Sequence, residues 1–278
     1  GCCGTTPAHI KAIRNAIKAL QPPKRDRIQI VLPAEERKVK KRIKPKDKSK
    51  MARKLADKEF VVSIEVLPPR GHDVSKTIEI VARLEQEGID CVNIPDGPRA
   101  SARMSSMALA SLLISKLKIE PILHYTCRDR NLLGMQSDLL GMYAHGIRNI
   151  LIITGDPPKL GDYPDATAVF DVDSIGLTNV VSSLNLAIDI GGRRLPEPTG
   201  FHIGVGVNPG AINLDYEISR FERKVDAGAE FAITQPVFDI RILESFFKRI
   251  EHCRLPLLLT FHLGPKAFGI PPSLHQIG

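Results

Sequence analysis

The feature that most constrains the fold of this chain is a repeated passage from helix to strand through a glycine. Three predicted helices end at a glycine, and a run of apolar, often β-branched residues begins about three residues later, at Gly88, Gly146 and Gly228. Helices and strands that alternate through short connections are typical of parallel sheets covered by helices. The pattern therefore predicts an α/β fold.

Seven segments have the length and composition of strands in such a sheet. They are residues 60–66, 91–94, 121–127, 150–153, 201–207, 231–237 and 255–261. The four apolar residues 150–153 are too few for a helix and suit a strand buried on both faces. Seven βα-type units predict either a closed parallel barrel or a large open sheet.

Polar residues interrupt or end six of these strands at matching places: Glu65, Asp96, His124, Asp156, Asn208 and Gln235. In a barrel these side chains would converge on the C-terminal face, where barrel enzymes hold their chemistry. Six converging polar groups would be unfavourable to bury without a polar ligand. We therefore favour the barrel, although Asp156 alone, before two prolines, is also ordinary turn chemistry.

Composition sets the context for this fold. The chain has 278 residues, of which 43% are hydrophobic, enough for one large barrel or two smaller domains. Five cysteines without a secretory leader predict a reducing, cytoplasmic location. No apolar run approaches the roughly 20 residues needed to span a bilayer, so a membrane is not an expected partner.

The charge of the chain is concentrated in one segment. The net charge is +8, and residues 21–58 alone carry 15 Lys/Arg and 5 Asp/Glu. High charge and repeated prolines predict an extended or disordered linker over residues 21–58. A nucleic-acid-binding arm is the alternative, but no aromatic residue is interleaved for base stacking, so nucleic acid is not the expected partner.

The first residues contain an adjacent pair of cysteines, Cys2 and Cys3. Two thiolates can hold zinc if a further ligand arrives, and two buried structural cysteines fit the chemistry equally well. The sequence GCCGTTPAHI resembles the C-terminal zinc motif of cobalamin-independent homocysteine S-methyltransferases. The resemblance implies that residues 1–20 are the tail of such a domain, and we expect Cys2 and Cys3 to retain no zinc outside a complete domain.

Four further motifs and their spacing carry a second resemblance: SIEVLPPR (63–70), HYTCRDRN (124–131), TGDPP (154–158) and RKVDAGAEFAITQPVFD (223–239). From about residue 59 to 255 the chain resembles the methylenetetrahydrofolate reductase family, and with the cysteine motif it is most similar to the bifunctional bacterial type. The resemblance implies a (β/α)8 TIM-type barrel over residues 59–278 that binds FAD. It also implies reduction of 5,10-methylenetetrahydrofolate to 5-methyltetrahydrofolate with NADH or NADPH as donor.

The resemblance assigns roles to particular residues. Glu65 corresponds to the general acid that protonates N10 of the folate, and Asp156 to a carboxylate that stabilises the resulting cation. Gln235 corresponds to a glutamine that binds the substrate. Flavin contacts are implied for His124, Thr154, Gly155, Asp156, Phe170, Asp171, Val172, Asp173 and Lys224.

The chain also departs from the family. Pro95-Asp96 stands where many members have Thr-Tyr, and Arg220 stands where some have a cofactor-binding asparagine. After Leu259 the sequence no longer resembles the family, so we expect a barrel without its eighth strand, with reduced stability and activity. An inactive fragment or a weak flavin- or folate-binding module is the alternative, and homo-oligomerisation is left open.

Overall fold

The computed structural model describes residues 42–260, together with Thr6, Ala8 and Lys11. A boundary between two units of the chain falls after Val39. Every element given below belongs to the second unit. The cysteine pair and the C-terminal tail lie outside the described residues, so the zinc motif, the methyltransferase remnant and the missing eighth strand stay predictions.

Seven parallel strands form one sheet, and each strand pairs with the next along the chain. The strands are β1 (Ser63–Glu65), β2 (Cys91–Ile94), β3 (Glu120–Thr126), β4 (Asn149–Ile153), β5 (His202–Val207), β6 (Phe231–Thr234) and β7 (Leu257–Leu258). A sheet with this order curls as in a (β/α) barrel. The predicted α/β, TIM-type fold is confirmed, and within residues 42–260 no eighth strand joins β7 to β1.

Seven helices accompany the sheet: α1 (Lys50–Ala56), α2 (Ser75–Gln86), α3 (Ser106–Lys116), α4 (Leu132–Ala144), α5 (Ser174–Leu184), α6 (Leu214–Asp226) and α7 (Ile240–Ile250). The helices α2 to α7 each follow one strand, from β1 to β6 in turn. Gly88, Gly146 and Gly228 have φ angles of 81°, 91° and 114°, the left-handed region that ends a helix at glycine. These three predicted helix ends are confirmed.

The apolar residues divide into an inner and an outer layer, as strand β4 shows. Ile150 and Ile152 face the helices within the largest hydrophobic cluster. Leu151, between them, packs in the barrel interior with Ile122 and Phe231. Because successive side chains of a strand point to opposite faces, this division confirms the prediction of a strand buried on both sides.

The end of the predicted linker differs from expectation, because α1 is folded against the N-terminal end of the barrel. Met51 is 1% exposed and lies in the interior cluster with Leu151. Ser49 caps the helix by accepting a hydrogen bond from the Ala52 amide at 2.9 Å. The high charge of the segment concealed this short apolar pattern, and residues 21–41 of the predicted linker lie outside the described part of the chain.

Polar contacts fix α1 to distant strands. The amides of Lys50 and Met51 donate to the Glu120 carboxylate of β3 at 2.8 and 3.0 Å. Lys48 Nζ lies 2.6 Å from the Glu230 carboxylate and 2.8 Å from the Phe201 carbonyl oxygen. Burial lowers the pKa of Lys48, against the opposing effect of Glu230. Residues 45–56 are thus a plug of the barrel and not a linker.

Candidate active site

A cleft of about 510 Å³ opens where the strands end at the C-terminal face of the barrel. Its walls come from β1 and from the ends of β2 to β6, and they include Glu65, His124, Gly155, Asp156 and Gln235. The volume lies within the roughly 300–1,000 Å³ of ligand sites in proteins. The structure therefore brings five of the predicted site residues together in one place.

Glu65 is the last residue of β1 and presents its carboxyl group to the cleft. Among the described residues, no hydrogen-bond partner approaches this carboxyl group. Glu65 is exposed as a residue, but the walls of the cleft shield its carboxyl group in part, and this desolvation raises the pKa of Glu65. A carboxyl group in this condition can hold a proton and deliver it to a ligand.

His124, in the middle of β3, is held by a short chain of polar side chains. Its Nε2 lies 3.2 Å from Asn93 Oδ1, and Asn93 Nδ2 donates to Ser63 Oγ at 2.8 Å. Since Asn93 presents an acceptor oxygen, His124 Nε2 carries the hydrogen and Nδ1 is left as an acceptor. Burial lowers the pKa of His124 to about 4, so the ring is neutral near pH 7. The sequence did not reveal the roles of Ser63 and Asn93. The one indication that it gives is that both are polar residues within strands.

The side chains of Asp156 and Gln235 lie at the rim of the cleft, and within the described part of the chain neither makes a hydrogen bond. Both are exposed, while their backbones are fixed. The Asp156 backbone carbonyl oxygen accepts a hydrogen bond from Arg128 Nη1 at 3.2 Å. The Gln235 backbone N–H donates to the Val207 carbonyl oxygen at 2.8 Å. A side chain on a fixed backbone in an open cleft is available to a ligand.

Gly155 allows the turn that places Asp156. Its φ angle is 92°, and a Cβ atom there would lie 3.0 Å from the Cβ of Thr126.

We expect Gly155→Ala to lower the free energy of unfolding by about 1–3 kcal/mol, because the side chain adds both strain and crowding. Urea denaturation measures this loss. Gly71→Ala is the control, since a Cβ at Gly71 has no atom within 4 Å, and equal losses in the two variants would contradict the assignment.

Asp96, two residues after the end of β2, engages its carboxylate in hydrogen bonds within the protein. It accepts hydrogen bonds from the Thr126 amide at 3.1 Å, from Thr126 Oγ1 at 3.0 Å and from Ser106 Oγ at 3.3 Å. The residue is buried. Asp96 therefore ties the end of β2 to the end of β3, beside the cleft.

The remaining predicted cofactor residues are not among those that line the cleft. Asp173 caps α5, since its Oδ1 accepts from the Gly176 amide at 3.0 Å, and its Oδ2 lies 3.1 Å from Arg220 Nη2. Thr154 Oγ1 accepts from the Ser174 amide at 3.2 Å. Thr154 and the segment 170–173 thus meet at the N-terminus of α5, where the helix dipole favours negative charge.

Lys224, on α6, lies near this second group but is turned inward. Its Nζ donates to the Gly206 carbonyl oxygen of β5 at 2.7 Å, and the residue is 7% exposed. Burial lowers the pKa of Lys224. The amine is engaged with the backbone, and its predicted contact with a phosphate stays a prediction.

Among the described residues, no three His, Cys, Asp or Glu side chains are arranged to hold a metal ion. In the same part of the chain, none of the helices has the length and apolar character of a membrane span. The cleft itself presents carboxyl, imidazole and amide groups, from Glu65, His124 and Gln235.

Comparison with known proteins places the chain in a family. A family model described as methylenetetrahydrofolate reductase matches residues 50–258. The chain belongs to the methylenetetrahydrofolate reductase family. The matched region begins with α1 and ends with β7, so the helical part of the plug falls within the match.

Curated relatives carry the same name. The 5,10-methylenetetrahydrofolate reductase of Pectobacterium carotovorum subsp. carotovorum is 26% identical over 69% of this chain and 58% of that protein. A probable methylenetetrahydrofolate reductase (NADH) of Oryza sativa subsp. japonica is 25% identical over 74% of the chain and 34% of its own length. A probable methylenetetrahydrofolate reductase (NADPH) of Caenorhabditis elegans is 26% identical over 74% of this chain and 30% of its own length. The chain thus matches less than two thirds of each relative's length.

Solved structures agree with the fold. A 2,3-dimethylmalate lyase superposes with a TM-score of 0.51 at 11% identity and covers 76% of this chain and 70% of that one. The coenzyme F420 dependent tetrahydromethanopterin reductase of Methanopyrus kandleri gives 0.50 at 15% identity, with 72% and 65% covered. At these identities the likeness concerns the fold alone.

Proposed function

We propose that this chain reduces 5,10-methylenetetrahydrofolate to 5-methyltetrahydrofolate, with FAD as its flavin and NADH or NADPH as hydride donor. The observation that carries the proposal is the convergence of Glu65, His124, Asp156 and Gln235 on one cleft at the C-terminal face of a barrel. Membership of the methylenetetrahydrofolate reductase family supports this chemistry. The names of the relatives include both nicotinamide donors.

The side chains of the cleft suit a flavin ring. The ring has hydrogen-bond donors and acceptors on one edge, and the cleft offers a neutral imidazole with an acceptor nitrogen together with the amide of Gln235. Gly206 leaves room in the wall, since a Cβ there would make only an ordinary contact of 3.7 Å with Ile153 Cγ2. When bound, the flavin carries the hydride equivalent from the nicotinamide to the folate.

Glu65 and Asp156 have separate tasks in this proposal. Protonated Glu65 gives its proton to N10 of the folate as the bond between N10 and the bridging methylene carbon breaks. The electron pair of that bond stays on N10, and a cation remains between N5 and the methylene carbon. The carboxylate of Asp156 stabilises this cation electrostatically, and Gln235 orients the substrate by hydrogen bonds.

The residues at the N-terminus of α5 extend the site. We assign Thr154 and the segment 170–173 to the part of FAD that lies beyond the ring, because they lie beside the cleft and offer hydroxyl and backbone groups. Lys224 joins them only if its amine leaves the Gly206 carbonyl oxygen. A cytoplasmic location follows from the proposed substrate and donor.

The alternative is a flavin- or folate-binding module without turnover. It is favoured by one observation, that the chain matches less than two thirds of the length of its relatives. In this reading the cleft binds its ligands, but the groups needed for a complete reaction lie elsewhere.

An anaerobic titration separates the two functions. The purified full chain is mixed with FAD, freed of unbound flavin and scanned for visible absorbance. Reductase function predicts that NADH or NADPH bleaches the bound flavin and that 5,10-methylenetetrahydrofolate restores its colour. Binding without either change favours the module, and a chain that retains no flavin overturns the proposal.

A further inference from the structure

Arg128 is a buried cation in the wall of the cleft that the proposed chemistry does not use. It follows β3 by two positions and is 4% exposed. Its Nε and Nη2 donate to the two carboxylate oxygens of Asp129 at 2.7 and 2.9 Å. This two-point contact fixes the plane of the guanidinium group.

The fixed guanidinium group joins two loops of the cleft. Its Nη1 donates to the carbonyl oxygens of Gly97 and Asp156, each at 3.2 Å. Gly97 lies in the loop after β2, and Asp156 lies in the loop after β4. The positive charge also attracts the carboxylates of Asp96 and Asp156. Arg128 thus connects both loops to the end of β3.

Arg128 and its neighbours hold the β4–α5 loop (residues 154–173) near both ends. The side chain holds Asp156, near the start of the loop. The Arg128 carbonyl oxygen accepts from the Val169 amide at 2.9 Å, and the Leu132 amide donates to the Asp171 carboxylate at 2.9 Å. The segment with the predicted flavin contacts therefore depends on the same short stretch of chain.

The glycines of the two loops make room for this arrangement. A Cβ at Gly97 would lie 2.4 Å from Arg128 Nη2, and one at Gly155 would lie 3.4 Å from Arg128 Cβ. Both glycines have positive φ angles, 51° and 92°. A side chain at Gly97 would therefore collide with the guanidinium group, and one at Gly155 would crowd the base of the arginine side chain.

We propose that Arg128 is a positioning residue that sets the place of the Asp156 carboxylate and holds the β4–α5 loop beside the cleft. The inference rests on the proposed function for its catalytic part. Its structural part concerns the protein without ligand, so the two can fail separately.

The structural part is tested on the ligand-free full chain by amide hydrogen exchange. Arg128→Met removes the bonds to both carbonyl oxygens, and bonds from charged groups are strong enough that we expect exchange at Leu160, Gly161 and Val169 to rise about tenfold. Arg148→Met is the matched control. Arg148 also bonds two carbonyl oxygens, those of Tyr143 and Ile147, but precedes β4 at the opposite end of the barrel. Unchanged exchange in Arg128→Met overturns the inference.

The catalytic part is tested by a double-mutant cycle with Asp156→Asn. A misplaced group can reduce a rate by about 10²-fold, and we expect a loss of that order for Arg128→Met in reoxidation of the flavin by methylenetetrahydrofolate. If Arg128 acts through Asp156, the double variant is no slower than Asp156→Asn, within about twofold. Arg128→Lys keeps the charge but not the fork of donors, and it should recover only part of the rate.

The outcomes are distinct. Losses that multiply in the double variant, or full recovery by Arg128→Lys, overturn the positioning role while the wild-type reaction stands. A wild-type chain that shows no folate reaction overturns the proposed function and the catalytic part with it. The exchange measurement then still decides whether Arg128 holds the loop in place.

Discussion

Glu65→Gln should lower the rate of the folate half-reaction by about 10²- to 10⁴-fold, which is the usual contribution of a general acid. Reduction of the bound flavin by the nicotinamide should stay close to wild type, because that step needs no proton on N10. Glutamine keeps the size and polarity of the side chain. Stopped-flow absorbance of the flavin measures the two half-reactions separately.

The pH dependence gives a second sign of the same role. Burial raises the pKa of Glu65, so the protonated acid is present at low pH and is lost as the pH rises through this raised value. The folate half-reaction should fall over that range in the wild type, and Glu65→Gln should not show the fall. Glu79→Gln, on the exposed face of α2, is the control. Equal loss of both half-reactions in Glu65→Gln would falsify the assignment.

Lys48→Ala should lower the free energy of unfolding by about 3–5 kcal/mol, as expected when one member of a buried ion pair is removed. The Lys48 side chain is 1% exposed, and the variant leaves the Glu230 carboxylate, 14% exposed, without its cation. The Phe201 carbonyl oxygen also loses a donor. Urea denaturation followed by circular dichroism measures the change.

Two variants make this result specific. Lys46→Ala removes a neighbouring exposed lysine and should change the unfolding free energy by no more than about 0.5 kcal/mol. Lys48→Met combined with Glu230→Met removes both charges and should be less destabilising than Lys48→Ala. If Lys48→Ala behaves like Lys46→Ala, residues 45–56 do not act as a plug.

The sequence predicted those parts of the fold that depend on local patterns. The glycines after α2, α4 and α6 marked the helix ends, because only a residue without a side chain readily adopts the required φ angle. The apolar run of β4 marked a central strand. The polar strand ends marked the cleft, because parallel strands bring their C-terminal ends to one face.

The rest depended on contacts between residues far apart in the chain. The pairing of Lys48 with Glu230 spans 182 residues, and that of Arg128 with the Asp156 carbonyl oxygen spans 28. Neither of these contacts produces a periodic pattern in the sequence from which it could be predicted. Composition averaged over residues 21–58 favoured disorder and concealed the few apolar residues of α1. Asn93 and Ser63 were missed because a lone polar residue in a strand does not reveal its partner.

The plug also bears on the order in which the barrel assembles and on its lifetime. Contacts that close a chain loop of 182 residues form only after most of the intervening chain is in place, because closure entropy opposes them until then. The contact between Lys48 and Glu230 is therefore expected to form late, after the folding barrier. Interactions formed after the barrier slow unfolding and have little effect on folding speed. Residues 45–56, part of a segment that looks dispensable in the sequence, are thus expected to act as a latch on the completed barrel and to lengthen the life of the native state.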